Sequence, residues 1–389
     1  MNNMVSSQSR VSIYNNLLNI SPDRHSHYSF DASGRLFAIH ADNWFIRRGL
    51  NGKMSARKLI DGAHAVRIYS VDESMVIEEA AYTAVQELSE TDTRLIEVKM
   101  QGAYNRAQLN SWIYRAVHFN LKEDLLAYHR VYNSAVGILP PDQYLPVVVQ
   151  ITEGCDWNKC SFCRFYKDTI FKKKSMKEIA VHIAEIKKYF GLGISVRNSV
   201  FLGEANGISF NRGNMIDIVR LVKKDLGACM PDFRGVSAFM ESSGDAQTLT
   251  QPDFKALAQE GLSYLYVGLE TGNDALRQLL KKPGSITSVV QAVEKAKGGG
   301  ISIGLILMSG IGGHEYAQQH IEDSMRVIRD MNLDSSDMIF LSPYVENNTN
   351  RVGYKSLTSD EIIDQARCIQ KALPPGIRSS LYEVQAFVY

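Results

Sequence analysis

From about residue 144 onward, short apolar runs alternate with amphipathic ones in a regular order. The apolar, β-branched runs are 144–152 (YLPVVVQIT), 199–205 (SVFLGEA), 236–242 (VSAFMES), 264–271 (YLYVGLET), 301–309 (ISIGLILMS) and 338–345 (MIFLSPYV). Their length and continuous apolarity fit strands buried on both faces rather than half-exposed ones. The polar residues between them mark helix starts and stops. Ser175 and Glu178 form a capping box ahead of an apolar stripe at Ile179, Ile183, Ile186 and Phe190. Thr250, Pro252 and Asp253 open a helix that ends by Gly261, and Pro283 with Gly284 stops another. Six buried strands separated by helices predict an α/β fold, a parallel sheet with right-handed crossovers whose closed form is a barrel or partial barrel.

Residues 1–140 lack that order and read as a smaller, mixed α+β domain. The run 35–50 (RLFAIHADNWFIRRGL) follows the turn-like DASG and reads as one or two strands, and 64–70 (HAVRIYS) as another. The stretches 75–88 and 106–135 read as helices. Pro140 and Pro141 hold the chain extended and mark a linker. The expected division is therefore 1–140, a barrel over 141–346, and a helical C-terminal extension over 347–389, with Cys368 inside the helical run EIIDQARCIQKAL.

Composition narrows the class. The chain has 389 residues, 45% of them hydrophobic, and a formal net charge of +1, which removes the strong basic footprint of nucleic-acid or anionic-membrane binding. The longest apolar stretch, 301–308, is too short to cross a bilayer, and no signal-peptide pattern opens the chain, so a cytoplasmic protein is expected. The run FKKKSMK precedes a helix and reads as solvated, and Lys282 in KKPG reads as a cation at a helix C-terminus.

In parallel βα barrels the loops after the strands gather at one face and carry the chemistry. Here Cys155, Cys160 and Cys163 follow the first strand, while Glu204, Glu241 and Glu270 end the next three. His314 and Glu315 follow the fifth strand, and Tyr344 and Glu346 the sixth. Any one acidic residue at such a position is as well explained by solvation or helix capping; the set is not. The chain has five cysteines, three of them within nine positions, in a pattern unlike a disulfide framework. A structural zinc site wants four ligands, usually two close pairs, and neither Cys229 nor Cys368 is near the trio in sequence. Three thiolates suit an iron-sulfur cluster with one iron left open to an external ligand.

The three-cysteine loop after the first of six strands, with Phe162 just before the last cysteine, resembles the radical S-adenosylmethionine (radical SAM) superfamily over roughly residues 144–345. The resemblance implies a six-stranded partial (βα)6 TIM-like barrel, with Cys155, Cys160 and Cys163 holding a [4Fe-4S] cluster whose open iron binds S-adenosylmethionine. It also implies that Gly203 and Glu204, in LGE, receive the methionyl ammonium, and that Glu270 accepts from ribose hydroxyls. Gly310, Gly312 and Gly313 would let backbone approach the adenine between apolar walls at Ile311 and Phe162. The spacing here is CxxxxCxxC, one residue longer in the first gap than the family's usual CxxxCxxC.

By the same resemblance, an enzyme is expected that reductively cleaves S-adenosylmethionine to a 5′-deoxyadenosyl radical, which abstracts hydrogen from a small-molecule substrate. An electron donor such as flavodoxin or ferredoxin is implied. Candidate substrate contacts are Arg164, Tyr166, His314, Tyr344 and Glu346, each with an ordinary packing or capping explanation beside it. The N-terminal part is expected to cover the open rim. Two other readings stay open: modification of tRNA or a peptide by the same cofactor, and a non-catalytic iron-sulfur or zinc protein.

Overall fold

A computed structural model describes residues 9–60, 63–92, 96–101, 104–143, 145–344, 354–382 and 387–389. Its N-terminal half is a meander. Strands β1 (Ser9–Tyr14), β2 (Leu17–Ser21), β3 (Ser26–Phe30), β4 (Leu36–Ala41), β5 (Trp44–Arg48), β6 (Met54–Ile60) and β7 (Ala63–Ile68) pair antiparallel in chain order. After helix α1 (Val71–Glu90), β8 (Ile96–Met100) joins β1 in parallel and completes an eight-stranded sheet. The hairpins β1–β2 and β4–β5 turn on Asn15-Asn16 and Asp42-Asn43, all four residues at positive φ, as tight two-residue hairpin turns demand. Alternation buries Val11, Ile13, Leu18 and Ile20 against α1 and α2 (Arg106–Val117). The helix expected over 106–135 is two helices. Asn120 accepts from the Glu123 N–H and starts α3 (Leu121–Val131) afresh.

The second half begins with β9 (Pro146–Gln150), followed by the short strands β10 (Thr152–Glu153) and β11 (Lys172–Lys173). Then come α4 (Met176–Phe190), β12 (Ser199–Gly203), α5 (Arg212–Asp225), β13 (Val236–Met240), α6 (Asp245–Thr248), α7 (Gln251–Glu260) and β14 (Leu262–Glu270). Helices α8 (Asp274–Leu279) and α9 (Ile286–Gly298) lead to β15 (Ser302–Ser309), α10 (Gly313–Asp330), β16 (Met338–Pro343), α11 (Ser359–Ala372) and β17 (Arg378–Leu381). The six expected strands are all present and parallel, in the order β9, β12, β13, β14, β15, β16. The segment expected to be a helical extension adds a seventh strand, β17, parallel to β16. With right-handed crossovers, an order that never reverses puts the connecting helices on one face. The other face curls over its own side chains: Phe201 on β12 and Phe340 on β16 both lie within 6 Å, ring to ring, of Tyr266 on β14.

The edge of β9 is closed by tyrosines instead of another strand. The Val148 N–H donates to the Tyr389 hydroxyl at 2.7 Å, and the Tyr132 hydroxyl donates to the Val148 carbonyl at 3.0 Å, so two buried backbone groups are satisfied. The supposed linker at Pro140–Gln143 plugs the lower end of the sheet, where Tyr266 donates to Asp142 Oδ2 at 2.6 Å and Gln143 Nε2 donates to the Tyr266 oxygen at 2.7 Å.

The N-terminal sheet does not cover the carboxyl ends of the strands. Its contacts run to the end of α4 and the turn beyond: Ser33 Oγ donates to Phe190 O, the Gly193 N–H donates to Ser33 Oγ, and Asn16 Nδ2 donates to Ser195 O. These positions precede β12, at the end opposite the cysteines. The polar β3–β4 turn finds its partners at that lower end, whereas Ile138, after α3 in the same N-terminal stretch, reaches a cavity at the carboxyl ends of the strands, so the sheet itself is not the cover.

Candidate active site

β10 and β11 pair antiparallel and pin the base of the loop 154–171. Gly154 leaves the strand at φ 72, a conformation that suits glycine, and its N–H donates to Glu204 Oε2 at 2.7 Å. The longer first gap of the cysteine motif is taken up by Trp157 and Asn158. The Trp157 indole donates to Lys281 O at 2.7 Å; Asn158 turns at φ 47, and its side chain donates to Tyr166 O at 2.6 Å. Asparagine tolerates that conformation, so the loop turns there without a glycine.

Cys155, Cys160 and Cys163 are free thiols lining one cavity of ≈ 380 Å³ at the carboxyl ends of the parallel strands. The Asn158 N–H points at Cys155 Sγ from 3.3 Å, and the Phe165 N–H at Cys163, where it opposes the effect of burial. Burial pushes the Cys160 thiol up to about 12, with Lys282 opposing, and raises Cys163 as well. Cys229 donates to Asp225 O at 3.6 Å and Cys368 lies exposed on α11, so neither supplies a fourth ligand. Among the described residues no three His, Cys, Asp or Glu side chains gather closely enough for one metal ion. Free thiols spaced around a cavity, with N–H groups aimed at two of them, fit a [4Fe-4S] cluster better than a tetrahedral zinc with Zn–S bonds of about 2.3 Å.

Beside the thiols lies a buried ion cluster that sequence reasoning did not assemble. Lys282 Nζ sits 2.9 Å from Glu241 Oε2 and 3.5 Å from Glu270 Oε1. Glu270 reaches it through a bulge in β14, at φ 61, a backbone form rare for non-glycine residues and frequent where a side chain is re-aimed into a site. Gly268 is the complement: a Cβ there would overlap Glu270 Oε1 and press on Lys282 Nζ. Burial raises the Glu270 carboxyl, with Lys282 opposing; burial also works against the Lys282 ammonium, but Glu241 and Glu270 outweigh it and raise its pKa. Arg277, 1% exposed, donates to Leu269 O at 2.5 Å and Pro283 O at 2.7 Å and so staples the end of β14 to the loop carrying Lys282. The only signal of this role in the sequence was two acidic strand ends in need of a cation.

The other expected site residues divide. Phe162, Arg164, Tyr166, Tyr344 and Glu270 line the cavity. Phe162 packs with Ile311, Met308 and Tyr344 in one apolar cluster, although Ile311 itself is fully buried behind the wall. Glu204 is turned away from the cavity: its carboxylate accepts from Gln150 Nε2 (2.6 Å), Ser134 Oγ (2.9 Å) and the Gly154 N–H. The Gly203 carbonyl accepts from the Ile151 N–H at 3.0 Å. These two residues therefore hold the root of the cysteine loop. The glycines after β15 lie close to the chain end: the Gly310 N–H donates to Gln365 Oε1 of α11 at 2.6 Å, Gly312 takes the left-handed form that opens α10, and a Cβ at Gly313 would overlap Lys355 O. His314 faces away, 3.6 Å from Glu361 on α11. Glu346 lies outside the described residues. Ile138, Asn206, Phe239, Ile306 and Tyr382 also line the cavity and were not anticipated.

Residues 149–328 match the family model described as the radical SAM superfamily. This part of the chain is a radical SAM domain. Radical SAM enzymes bind a [4Fe-4S] cluster and S-adenosylmethionine, and the protein is an enzyme of that kind. Among solved structures the chain is similar to methylornithine synthase (PylB), with 16% identity and a TM-score of 0.41 over 77% of this chain and 82% of that one. It is similar to the [FeFe]-hydrogenase maturase HydG, with 14% identity and a TM-score of 0.43 over 72% of this chain and 58% of that one. It is likewise similar to coproporphyrinogen III oxidase (HemN) from Escherichia coli, with 14% identity and a TM-score of 0.44 over 66% and 57% of the two chains. A comparison with curated proteins finds no match. No helix among the described residues is long and apolar enough to cross a membrane.

Proposed function

We propose that the parallel sheet is a partial (βα)6-type barrel with an added strand, and that it abstracts hydrogen from a small molecule held in the cavity beside the three cysteines. When bound, the cluster and S-adenosylmethionine together supply the 5′-deoxyadenosyl radical chemistry for that step. Cys155, Cys160 and Cys163 hold the cluster. Glu270, acceptor-only while Lys282 keeps it ionised, takes the ribose hydroxyls, and Phe162 offers an apolar wall to the adenine. Glu204 positions: through Gly154 it fixes where Cys155 leaves the strand. The observation that carries the proposal is the convergence of three free thiols and the Lys282, Glu241 and Glu270 cluster on one cavity at the carboxyl ends of parallel strands. A partly enclosed cavity of ≈ 380 Å³ favours a small molecule over tRNA or a folded peptide. An external one-electron donor, such as flavodoxin or ferredoxin, completes the reaction.

The test is anaerobic reconstitution with iron and sulfide, reduction with dithionite and addition of S-adenosylmethionine, with 5′-deoxyadenosine quantified. Release is expected from the natural protein and not from the Cys155, Cys160, Cys163 triple alanine variant. Equal release from both would refute the proposal.

A further inference from the structure

The cavity is layered, and the layers differ in chemistry. Alternate residues of a strand share a face, so Phe239 on β13, Tyr266 and Gly268 on β14, and Ile306 and Met308 on β15 line it, joined by Glu241 just past the end of β13 and by the bulged Glu270. Phe239 pairs with Tyr266 in register, which sets both at the lower level, one step below Glu241. At that level the wall is made of rings: Phe239 and Tyr266 lie 6.0 Å apart at 66°, Tyr266 and Phe340 lie 5.8 Å apart, and Phe340 leads to Tyr382 at 6.2 Å. The Tyr266 hydroxyl is engaged beneath by Asp142 and Gln143, so the cavity meets its ring. Gly304 makes that placement possible, because a Cβ there would lie 2.5 Å from the Tyr266 ring.

The charges stand above. Lys282 pairs with Glu241 and Glu270 at the upper level, leaving one carboxylate charge in excess there, and no Asp, Glu, Lys or Arg among the described lining residues stands at the level of the paired Phe239 and Tyr266, with Ile306 one step above them opposite Gly268. A charged group lowered to that level would lose its hydration and meet no counter-charge. One neutral donor borders the cavity. Asn206 is 3% exposed, and its Oδ1 accepts the N–H groups of Ile208 and Glu241, each at 3.3 Å. That fixes the amide with Nδ2 as a donor on the lining side.

Building on the reading of the cavity as the S-adenosylmethionine site, we propose that its lower half is the substrate site, and that the substrate is a small uncharged molecule with a planar aromatic body. The body lies against Phe239, Tyr266 and Ile306, where ring edges and faces reward offset or edge-to-face contact, and a polar atom at its upper end accepts from Asn206.

The test is anaerobic titration calorimetry on the reconstituted holoprotein with indole as the probe and L-glutamate as a charged probe of similar size. Indole is expected to bind saturably at one site per chain, and glutamate not to bind. Phe239→Leu, which keeps an apolar core, is expected to weaken indole roughly tenfold, and Ile306→Asp to abolish binding. Val181→Ser, on the exposed face of α4, leaves it unchanged. Glutamate binding in preference to indole, or indole binding indifferent to Phe239→Leu, would overturn the proposal. S-adenosylmethionine binding is read separately by equilibrium dialysis. Its presence without indole binding overturns the aromatic substrate site; indole binding without it overturns the assignment of the cofactor to this cavity.

Discussion

Each half of the molecule buries an ion cluster, and only one of the two lines a site. In the N-terminal half Arg35 reaches Asp31 at 3.2 Å and Asp124 at 2.6 Å, Arg48 pairs with Glu78, and the Arg35 guanidinium lies 4.6 Å above the Tyr189 ring. That cluster ties the turn between β3 and β4 to α3 and α4, with side chains filling the space around it. In the parallel half Lys282 holds Glu241 and Glu270 in a similar way, but Gly268 has given up its side chain to make room and the cluster faces a cavity. Burial, charge and a raised cationic pKa are common to both. A glycine making room is common to both as well, since a Cβ at Gly193 would overlap Asp31 Oδ2; the open volume is what separates a structural fastening from a functional one.

Breaking both clusters in parallel is the sharpest test of that difference and carries the largest expected effect. Arg35→Met and Lys282→Met each leave buried carboxylates without their cation, at a cost of about 3–5 kcal/mol in urea unfolding. Only Lys282→Met is expected to suppress 5′-deoxyadenosine formation per folded, cluster-loaded molecule; Arg35→Met keeps it. Retained cleavage in Lys282→Met would reduce the cavity cluster to the same fastening role as its counterpart.

Acid sensitivity gives the next contrast: partial desolvation lowers one histidine of the N-terminal half, His40, but the large depressions are in the parallel half. His182 on α4 accepts from the Gln150 N–H at 3.1 Å, and burial lowers its pKa to about 3; burial likewise lowers His320 on α10 to about 4. Both are neutral in the folded protein at pH values where the unfolded chain protonates them. Their share of stability is therefore complete above pH 6.5 and falls as the pH drops towards those depressed values, by about 1.4 kcal/mol per pH unit for each histidine. His182→Gln preserves an acceptor for Gln150, so its unfolding free energy should decline less steeply between pH 6 and 4.5, by about that amount per unit. Equal slopes in the two proteins would mean that His182 is protonated in the fold.

The two halves also differed in how much of them could be read in advance. The parallel strands were legible because they are buried on both faces and leave continuous apolar runs. Of the meander, only the runs that became β4, β5 and β7 were legible; β1, β2 and β3 were not, since they carry polar residues on an outer face and are only five or six residues long. The seventh strand, Arg378–Leu381, is short and only partly buried, so no hydrophobic pattern announced it. At the site, spacing singled out the thiols and a strand end singled out Glu270, and the structure brings them to one cavity. Lys282 was not: its sequence context, KKPG after a helix, is that of a capping cation, and only the β14 bulge and the Arg277 staple bring it beneath Glu270. Glu204 and the glycines after β15 present the reverse case. Their motif positions match a ligand-binding pattern, yet Gln150, Ser134 and α11 occupy their hydrogen-bonding groups.

His314 offers the smallest effect and the finest division within the rim itself. It stands at the start of α10, after the fifth strand, where a ligand contact was expected, but its ring turns to Glu361 at 3.6 Å, and both side chains are more than a third exposed. A pair so hydrated is worth about 0–1 kcal/mol. His314→Ala should thus shift the urea midpoint marginally and leave 5′-deoxyadenosine formation at the level of the natural protein. A loss of cleavage with the fold intact would move the edge of the site outward, past the glycine turn to α11, and the boundary between fastening and function would then lie among the residues that hold the chain's last helix in place.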